Sequence, residues 1–400
     1  MRERPLTRSY AYYREIFQGQ RMPFAFVDLD LFDRNVRTAL RRARGKQVRI
    51  GTKSVRSVAL LRRLLEQGCQ GCLCFTAREA AYLASQGFDD LVIAYPVWHR
   101  DDIAEVAQAV KGGARITLMV DSVEHVRQAA SVAEQQETQL SLCLDLDMSS
   151  SFPGLHFGSW RSPLRTPEQV RPVLDAIKNA PTVTLDGVMG YEAQIAGVGD
   201  ATPGQALKNA LIRTLKQRSI AEVARRRQEL VSFVEGYYGR PLRFVNGGGT
   251  GSIETTCAEE CVTEVTVGSA FYAPALFDAF HSFRYLPAAG YAIEIVRRPA
   301  PTLYTCLGGG YVASGAVGAD KWPRPYLPRG ARFDSLEGAG EVQTPIFYKG
   351  PLPLRLGDPI FLRHAKAGEL CERFTHLLLV SEGQIVETVT TYRGDGQNFL

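Results

Sequence analysis

The sequence predicts an α/β chain, a (β/α)8 TIM barrel followed by a separate C-terminal β domain. Three observations predict it. The chain has 400 residues, enough for about two domains, one of which can be a barrel of roughly 250 residues. Eight short apolar runs alternate with stretches whose apolar residues recur at helical spacing, the pattern of a parallel sheet wrapped by helices. After Phe277 the pattern changes: Pro and Gly become frequent, helical periodicity nearly vanishes and short β-like runs appear.

Taken in order, residues 1–20 are aromatic and basic and read as a short leading helix. Residues 24–30 read as a strand and 31–44 as an amphipathic helix. The eight barrel strands are expected at 48–53, 71–75, 91–95, 116–121, 140–147, 183–190, 242–246 and 263–267. Helical stretches fall between them at 57–67, 77–86, 103–110, 123–134, 167–178 and 206–237; in the first, Val58, Leu61 and Leu65 share one face. Beyond the barrel, β-like runs lie at 291–296, 303–307, 377–380 and 385–391. This divides the chain into a barrel domain, 1–278, and a β domain, 279–400. The strand at 24–30 is left over from the eight and is expected to pack with the β domain.

Composition narrows the function classes. Hydrophobic content of 45% with 22% charged residues is that of an ordinary globular protein, and a net charge of +5 is mild. The densest basic cluster, Arg225-Arg226-Arg227, reads as a solvated helix face, so no nucleic-acid partner is expected. No apolar run approaches the ~20 residues of a membrane span, and no apolar signal-peptide core follows the charged start. A cytoplasmic protein with reduced thiols is the expectation. Cys69, Cys72 and Cys74 lie close together, but without a second Cys/His pair at metal-ligand spacing they read as small buried hydrophobes.

Two features carry chemistry. Asn246-Gly247-Gly248-Gly249-Thr250-Gly251-Ser252 follows the seventh barrel strand. Glycines let backbone N–H groups converge on one point, and Thr and Ser add hydroxyls, which suits a phosphate as well as it suits a flexible turn. Gly268-Ser269 follows the eighth strand, and barrels commonly hold phosphate in the loops after strands seven and eight. Lys53 closes the first barrel strand and so faces the same end. It is either a surface ammonium or a Schiff-base former; Ile50-Gly51-Thr52 brings no carboxylate beside it. A lysine and a phosphate site at one barrel mouth suggest pyridoxal 5'-phosphate.

Together, residues 23–28, Gly51-Thr52-Lys53, the run 246–252 and Gly268-Ser269 with Tyr272 resemble fold-type III pyridoxal-phosphate enzymes, whose barrel is of alanine racemase type. The runs 307–311, 338–345 and 364–370 make the chain similar to the branch containing D-threonine aldolase and D-serine dehydratase, specifically its bacterial amino acid deaminase/aldolase members. The resemblance implies that Lys53 holds the cofactor as an imine and shuttles the Cα proton. It implies phosphate contacts from Gly247, Gly248, Gly249, Thr250, Gly268 and Ser269, with Tyr272 beside them. Tyr191 would pack by the cofactor, and Arg161 would face the pyridine nitrogen. A homodimer and a small amino-acid substrate are implied as well.

The family's metal site is where the match frays. Relatives carry His-x-Asp or His-x-Cys in the C-terminal domain, whereas this chain reads His364-Ala365-Lys366, with Cys371 seven residues after His364. Either His364 binds a divalent ion, Zn or Mn, with a displaced donor (Glu369 or Cys371), or no metal binds and Lys366 stands in as the cation that holds a substrate hydroxyl. The implied reaction is cleavage of β-hydroxy D-amino acids such as D-threonine to glycine and an aldehyde, with His364 and Lys366 acting at the hydroxyl. Dehydration to an oxo acid and ammonia and amino-acid racemisation are the alternatives within the fold. A cofactor-carrying protein without catalysis and a barrel acting on a phosphorylated sugar lie further off.

Overall fold

The computed structural model describes residues 8–316, 318–366 and 368–400. They form two compact units. One comprises Thr38–Lys53, Leu61–Gly268 and Phe399–Leu400; the other comprises the chain up to Arg37, Ser54–Leu60 and Ser269–Asn398. The units interleave along the chain instead of meeting at one cut near residue 278.

The first eleven strands are β1 (Phe24–Asp28), β2 (Gln47–Gly51), β3 (Cys72–Cys74), β4 (Leu91–Pro96), β5 (Ile116–Val120), β6 (Leu140–Asp145), β7 (Ser150–Phe152), β8 (Leu155–Phe157), β9 (Val183–Gly190), β10 (Phe244–Gly247) and β11 (Glu264–Val267). Among the described residues a closed parallel barrel runs β10-β11-β2-β3-β4-β5-β6-β9. These are the eight strands expected from the sequence. They are near-continuous apolar runs because a parallel strand wrapped by helices is buried on both faces. Val92, Met119, Cys143, Met189 and Phe244 meet in the barrel core, with Leu73 against them. The outer helices start where the sequence supplies caps: Thr76 and Ser122 accept the N–H groups of Glu79 and His125, and Thr166 forms a capping box with Gln169 ahead of Pro167.

Beside the apolar core lies a buried ion network. Arg49 is 1% exposed, donates to Glu264 at 2.7 and 2.8 Å and to Asp90 at 3.0 Å, and lies over the Phe244 ring. Asn246 donates to the same Glu264 carboxylate at 2.8 Å. Removing one member of such a pair strands the other's charge. Arg49→Met is therefore expected to lower stability by about 3–5 kcal/mol in urea unfolding. A loss below about 1 kcal/mol, the scale of an exposed pair, would show that the network does not hold the barrel closed.

The long helix Ala206–Tyr238 corrects one expectation. Its buried positions include Lys216, Ser219, Val223, Arg226, Arg227, Leu230, Val231 and Val234. Two of the three clustered arginines thus fall on the inner face, and Arg225 alone of them is exposed, paired with Glu229. The reason is that Arg227 finds two carboxylates, the buried Glu192 and the half-buried Glu259.

In the other unit the strands are β12 (Ala289–Ala300), β13 (Leu303–Leu307), β14 (Arg324–Leu327), β15 (Arg332–Phe333), β16 (Gln343–Phe347), β17 (Pro359–Arg363), β18 (His376–Ser381) and β19 (Gln384–Thr390). They join β1 in one sheet ordered β15-β16-β13-β12-β1-β18-β19, from which β17 branches off β12 and β14 pairs with β17. Strand β1 is antiparallel to β12 and parallel to β18. The leading helix Tyr10–Ile16 is tied to it: Tyr13 donates to Asp28 at 2.9 Å and its ring packs on Phe26 and Phe361. No helix among the described residues is long and apolar enough to cross a membrane.

Candidate active site

The barrel unit gathers chemistry at the C-terminal ends of its strands. Strand β2 ends at Gly51, two residues earlier than expected, and Lys53 sits in a 3-10 turn, Thr52–Ser54. The Thr52 hydroxyl secures this turn by donating to Leu73 O at 3.0 Å. Tyr95, near the end of β4, lies close enough to Lys53 for the ammonium to push its phenol below the ordinary value; Arg161 adds to this, against burial. Arg161 stands over the rings of Tyr95 and Tyr191, 4.9 and 5.8 Å from their centres. Its guanidinium is pinned from below: Nε and Nη2 donate to Asp145 Oδ2 at 3.2 and 3.0 Å, and Nη2 also to Ala94 O at 2.9 Å.

Asp145 is the last residue of β6. Burial pushes its carboxyl up to about 6, in spite of the neighbouring Arg161. Its Oδ1 is buried with no hydrogen-bond partner among the described residues. Tyr191 follows the end of β9, and burial raises its phenol to about 12. Lys53, Tyr95, Arg161 and Tyr191 thus share one barrel mouth. Of the four, Tyr95 was visible in the sequence only as the end of a strand.

The glycine loop is organised by a residue to which the sequence assigned no role. Glu192, 1% exposed, accepts from Arg227 Nη2 at 2.6 Å, Ser252 Oγ at 2.7 Å, Thr256 Oγ1 at 2.5 Å and Gly248 N at 3.3 Å. Gly249 N donates to Ser252 Oγ at 3.1 Å, and Gly251 N to Ala196 O at 3.1 Å. These three N–H groups are therefore donors inside the barrel unit, and the convergence on one point that the glycine run suggests is not seen among them. The glycines serve close packing instead. Gly248 has φ +80°, and a Cβ on Gly249 would lie 2.8 Å from Ala196 Cβ. Arg42 braces the loop from outside, donating to Thr250 O at 3.1 Å and to Glu254. Gly268 ends the barrel unit's last crossing, directly after β11.

The remaining expected residues belong to the other unit. Ser269 opens a short helix, Ser269–Tyr272, and its hydroxyl lies 3.2 Å from that of Ser54. Tyr272 donates to Val55 O at 2.9 Å and its ring meets the His364 ring edge-on, 6.2 Å between centres. His364 is 2% exposed. Cys371 donates through Sγ to the same Val55 O at 3.3 Å. Lys366 donates to Ser314 O at 3.3 Å, and Glu369 accepts from Ser314 N and Oγ at 3.1 and 2.9 Å. His376, at the start of β18, is exposed, with Nδ1 2.9 Å from the Thr375 hydroxyl.

The donor set fits pyridoxal phosphate in kind: a lysine amine beside a perturbed phenol, a guanidinium fixed by a carboxylate, and a tightly braced glycine loop at the same barrel mouth. It does not fit the divalent metal. The position two after His364 is an ammonium, Cys371 is engaged on Val55 O, and Glu369 is engaged on Ser314. No group of three or more His, Cys, Asp or Glu among the described residues is placed to hold an ion, Cys69, Cys72 and Cys74 included.

Comparison with known proteins places this geometry. A 3-hydroxy-D-aspartate aldolase from Paracoccus denitrificans (strain Pd 1222) is 26% identical over 263 residues, 65% of this chain and 62% of that protein. The match thus spans less than two thirds of the relative's length. The structure of D-threonine aldolase from Filomicrobium marinum superposes with a TM-score of 0.79 at 18% identity, covering 94% of this chain and 95% of that one. D-threo-3-hydroxyaspartate dehydratase from Delftia sp. HT23 gives 0.70 at 18% identity, over 93% and 98%. At 18% identity the two structures establish the fold alone, an alanine racemase-type barrel with a separate sheet. Residues 27–275, well over half of the chain and all eight barrel strands, match the alanine racemase N-terminal domain, and the chain belongs to that family.

Proposed function

We propose that the protein is a pyridoxal-phosphate-dependent lyase that cleaves β-hydroxy D-amino acids of the D-threonine kind to glycine and an aldehyde. The observation that carries the reading is the juxtaposition at the barrel mouth of Lys53, Tyr95 and the Asp145-anchored Arg161. Bound there, the cofactor supplies an electron sink for negative charge at the substrate's Cα. Lys53 holds the cofactor and moves the proton at Cα. Tyr95, its phenol already eased toward ionisation by Lys53, is a partner for that proton. Arg161 faces the pyridine nitrogen, kept in place by Asp145 and Ala94. Tyr191 packs by the cofactor. Thr250, Gly268 and Ser269 contact the phosphate, with Tyr272 beside them, and Gly247, Gly248 and Gly249 shape the loop that lets them do so. We assign His364 and Lys366 to the substrate's β-hydroxyl. In the cleavage the Cα–Cβ bond breaks, the aldehyde leaves, and the proton given up by the hydroxyl is balanced by one added at Cα. A homodimer belongs to the same proposal.

The names of the relatives support D-stereochemistry and a β-hydroxyl. They also keep dehydration to an oxo acid and ammonia as the second reading, since one similar structure is that of a dehydratase. A product assay on purified protein loaded with pyridoxal phosphate separates the two. D-threonine and D-threo-3-hydroxyaspartate are the substrates, and L-threonine is the control. Glycine plus aldehyde from the D-substrates is the expected result. Oxo acid and ammonia would move the assignment to a dehydratase. Neither product, with D- and L-alanine interconverting, would replace the lyase by a racemase.

A further inference from the structure

We propose that this chain works without a divalent metal, with the Lys366 ammonium serving as the resident cation of its His364-Ala365-Lys366 segment. The inference deepens the lyase reading above and rests on it for the hydroxyl that the cation would answer.

The donors argue the case. At the second position after His364, Lys366 carries three N–H donors and no lone pair for a metal. Its charge would also repel an ion held by His364. The ammonium is anchored on Ser314 O at 3.3 Å, while Glu369 accepts from Ser314 N and Oγ at 3.1 and 2.9 Å. One loop residue is thus gripped by a cation on its carbonyl and a carboxylate on its N–H and hydroxyl. That arrangement orients Lys366 and uses one oxygen of Glu369.

Nor is the other displaced donor at hand. Cys371 Sγ and Tyr272 Oη both donate to Val55 O, at 3.3 and 2.9 Å, so turning the sulfur toward an ion would break its buried hydrogen bond. What is left of the displaced donors is the second oxygen of Glu369, buried without a partner among the described residues. One such oxygen and one imidazole fall short of the three or more protein ligands of a typical zinc site. An ammonium can do the simpler part of an ion's task. It donates to the hydroxyl oxygen and makes negative charge there less costly, without requiring deprotonated ligands.

The decisive experiment is a calorimetric titration of the cofactor-loaded protein with Mn2+ and, separately, Zn2+. The wild type is expected to give no saturable one-to-one binding, and its product formation from D-threonine to be unchanged by a chelator. Lys366→Asp is expected to create a saturable site that His364→Ala, added to it, removes again; Lys366→Cys serves the same purpose should the Asp variant fold poorly. Saturable binding to the wild type that His364→Ala abolishes would overturn the proposal. For the cation itself, Lys366→Met should lower kcat/KM by about 10–100-fold, the equivalent of one hydrogen bond to a charged group, with the cofactor's absorbance intact. Lys366→Arg should recover part of that loss. An unchanged kcat/KM in the Met variant would remove Lys366 from the role. If no lyase product forms under any condition, the lyase reading has failed, and the titration still decides whether the segment binds an ion.

Discussion

Lys53→Ala should abolish the visible absorbance of lysine-bound pyridoxal phosphate and reduce turnover by at least about 10³-fold. The loss is large because one side chain is asked both to carry the cofactor and to move the proton at Cα, and positioned proton transfer alone contributes about 10²–10⁴-fold. Lys53→Arg is the informative companion. It keeps a positive charge beside Tyr95 but has no nucleophilic amine at working pH. The Tyr95 phenol offers a second readout, since Lys53 is the main cause of its lowered pKa. Its titration should move up in the Ala variant and stay low in the Arg variant. Near-normal turnover in Lys53→Ala would remove the central claim, whereas a Tyr95 titration that ignores both changes would remove only the pairing.

The second large effect is expected at Glu192. Arg227 is fully buried against Glu192 and Glu259. Glu192→Ala takes away one of its two counter-charges and the acceptor for Ser252, Thr256 and Gly248 N. Apoprotein stability in urea should fall by about 3 kcal/mol, the lower range for breaking a buried pair, because Glu259 still answers the arginine. The affinity for pyridoxal phosphate, followed by titration, should fall as well, since the loop at the barrel mouth loses its anchor. Glu192→Gln keeps the shape and an acceptor oxygen, and should retain more cofactor affinity than stability. Should Glu192→Ala bind the cofactor as tightly as the wild type, Glu192 would be a folding residue with no part in positioning the loop.

Much of the barrel was legible in one dimension because burial on both faces writes itself as apolar runs, and helices between them write a 3.6-residue period. Lys53 and the glycine loop were legible for a related reason. In a parallel barrel every strand's C-terminal end lies on one face, so position along the chain predicts position at the mouth. The arginines at 225–227 show where this stops. Three consecutive charges read as solvated, and nothing local reveals that a buried carboxylate 35 residues upstream in the chain, Glu192, receives one of them. Asp145 was hidden in the same way. It closes an apolar strand, and only the fold brings Arg161 back over the hairpin of β7 and β8 to meet it.

The sequence by itself determined the strand order of the barrel, the lysine at its mouth, the loops after its last two strands and the family. Tertiary structure alone decided which charges face each other. It put Tyr95 beside Lys53, Glu192 under the glycine loop, and Lys366 and Glu369 on Ser314. The physical reason is one of range. Apolar periodicity is a property of neighbouring residues and survives in the linear text. The energy of a buried charge depends on partners brought from tens or hundreds of residues away, and distance along the chain carries no trace of them.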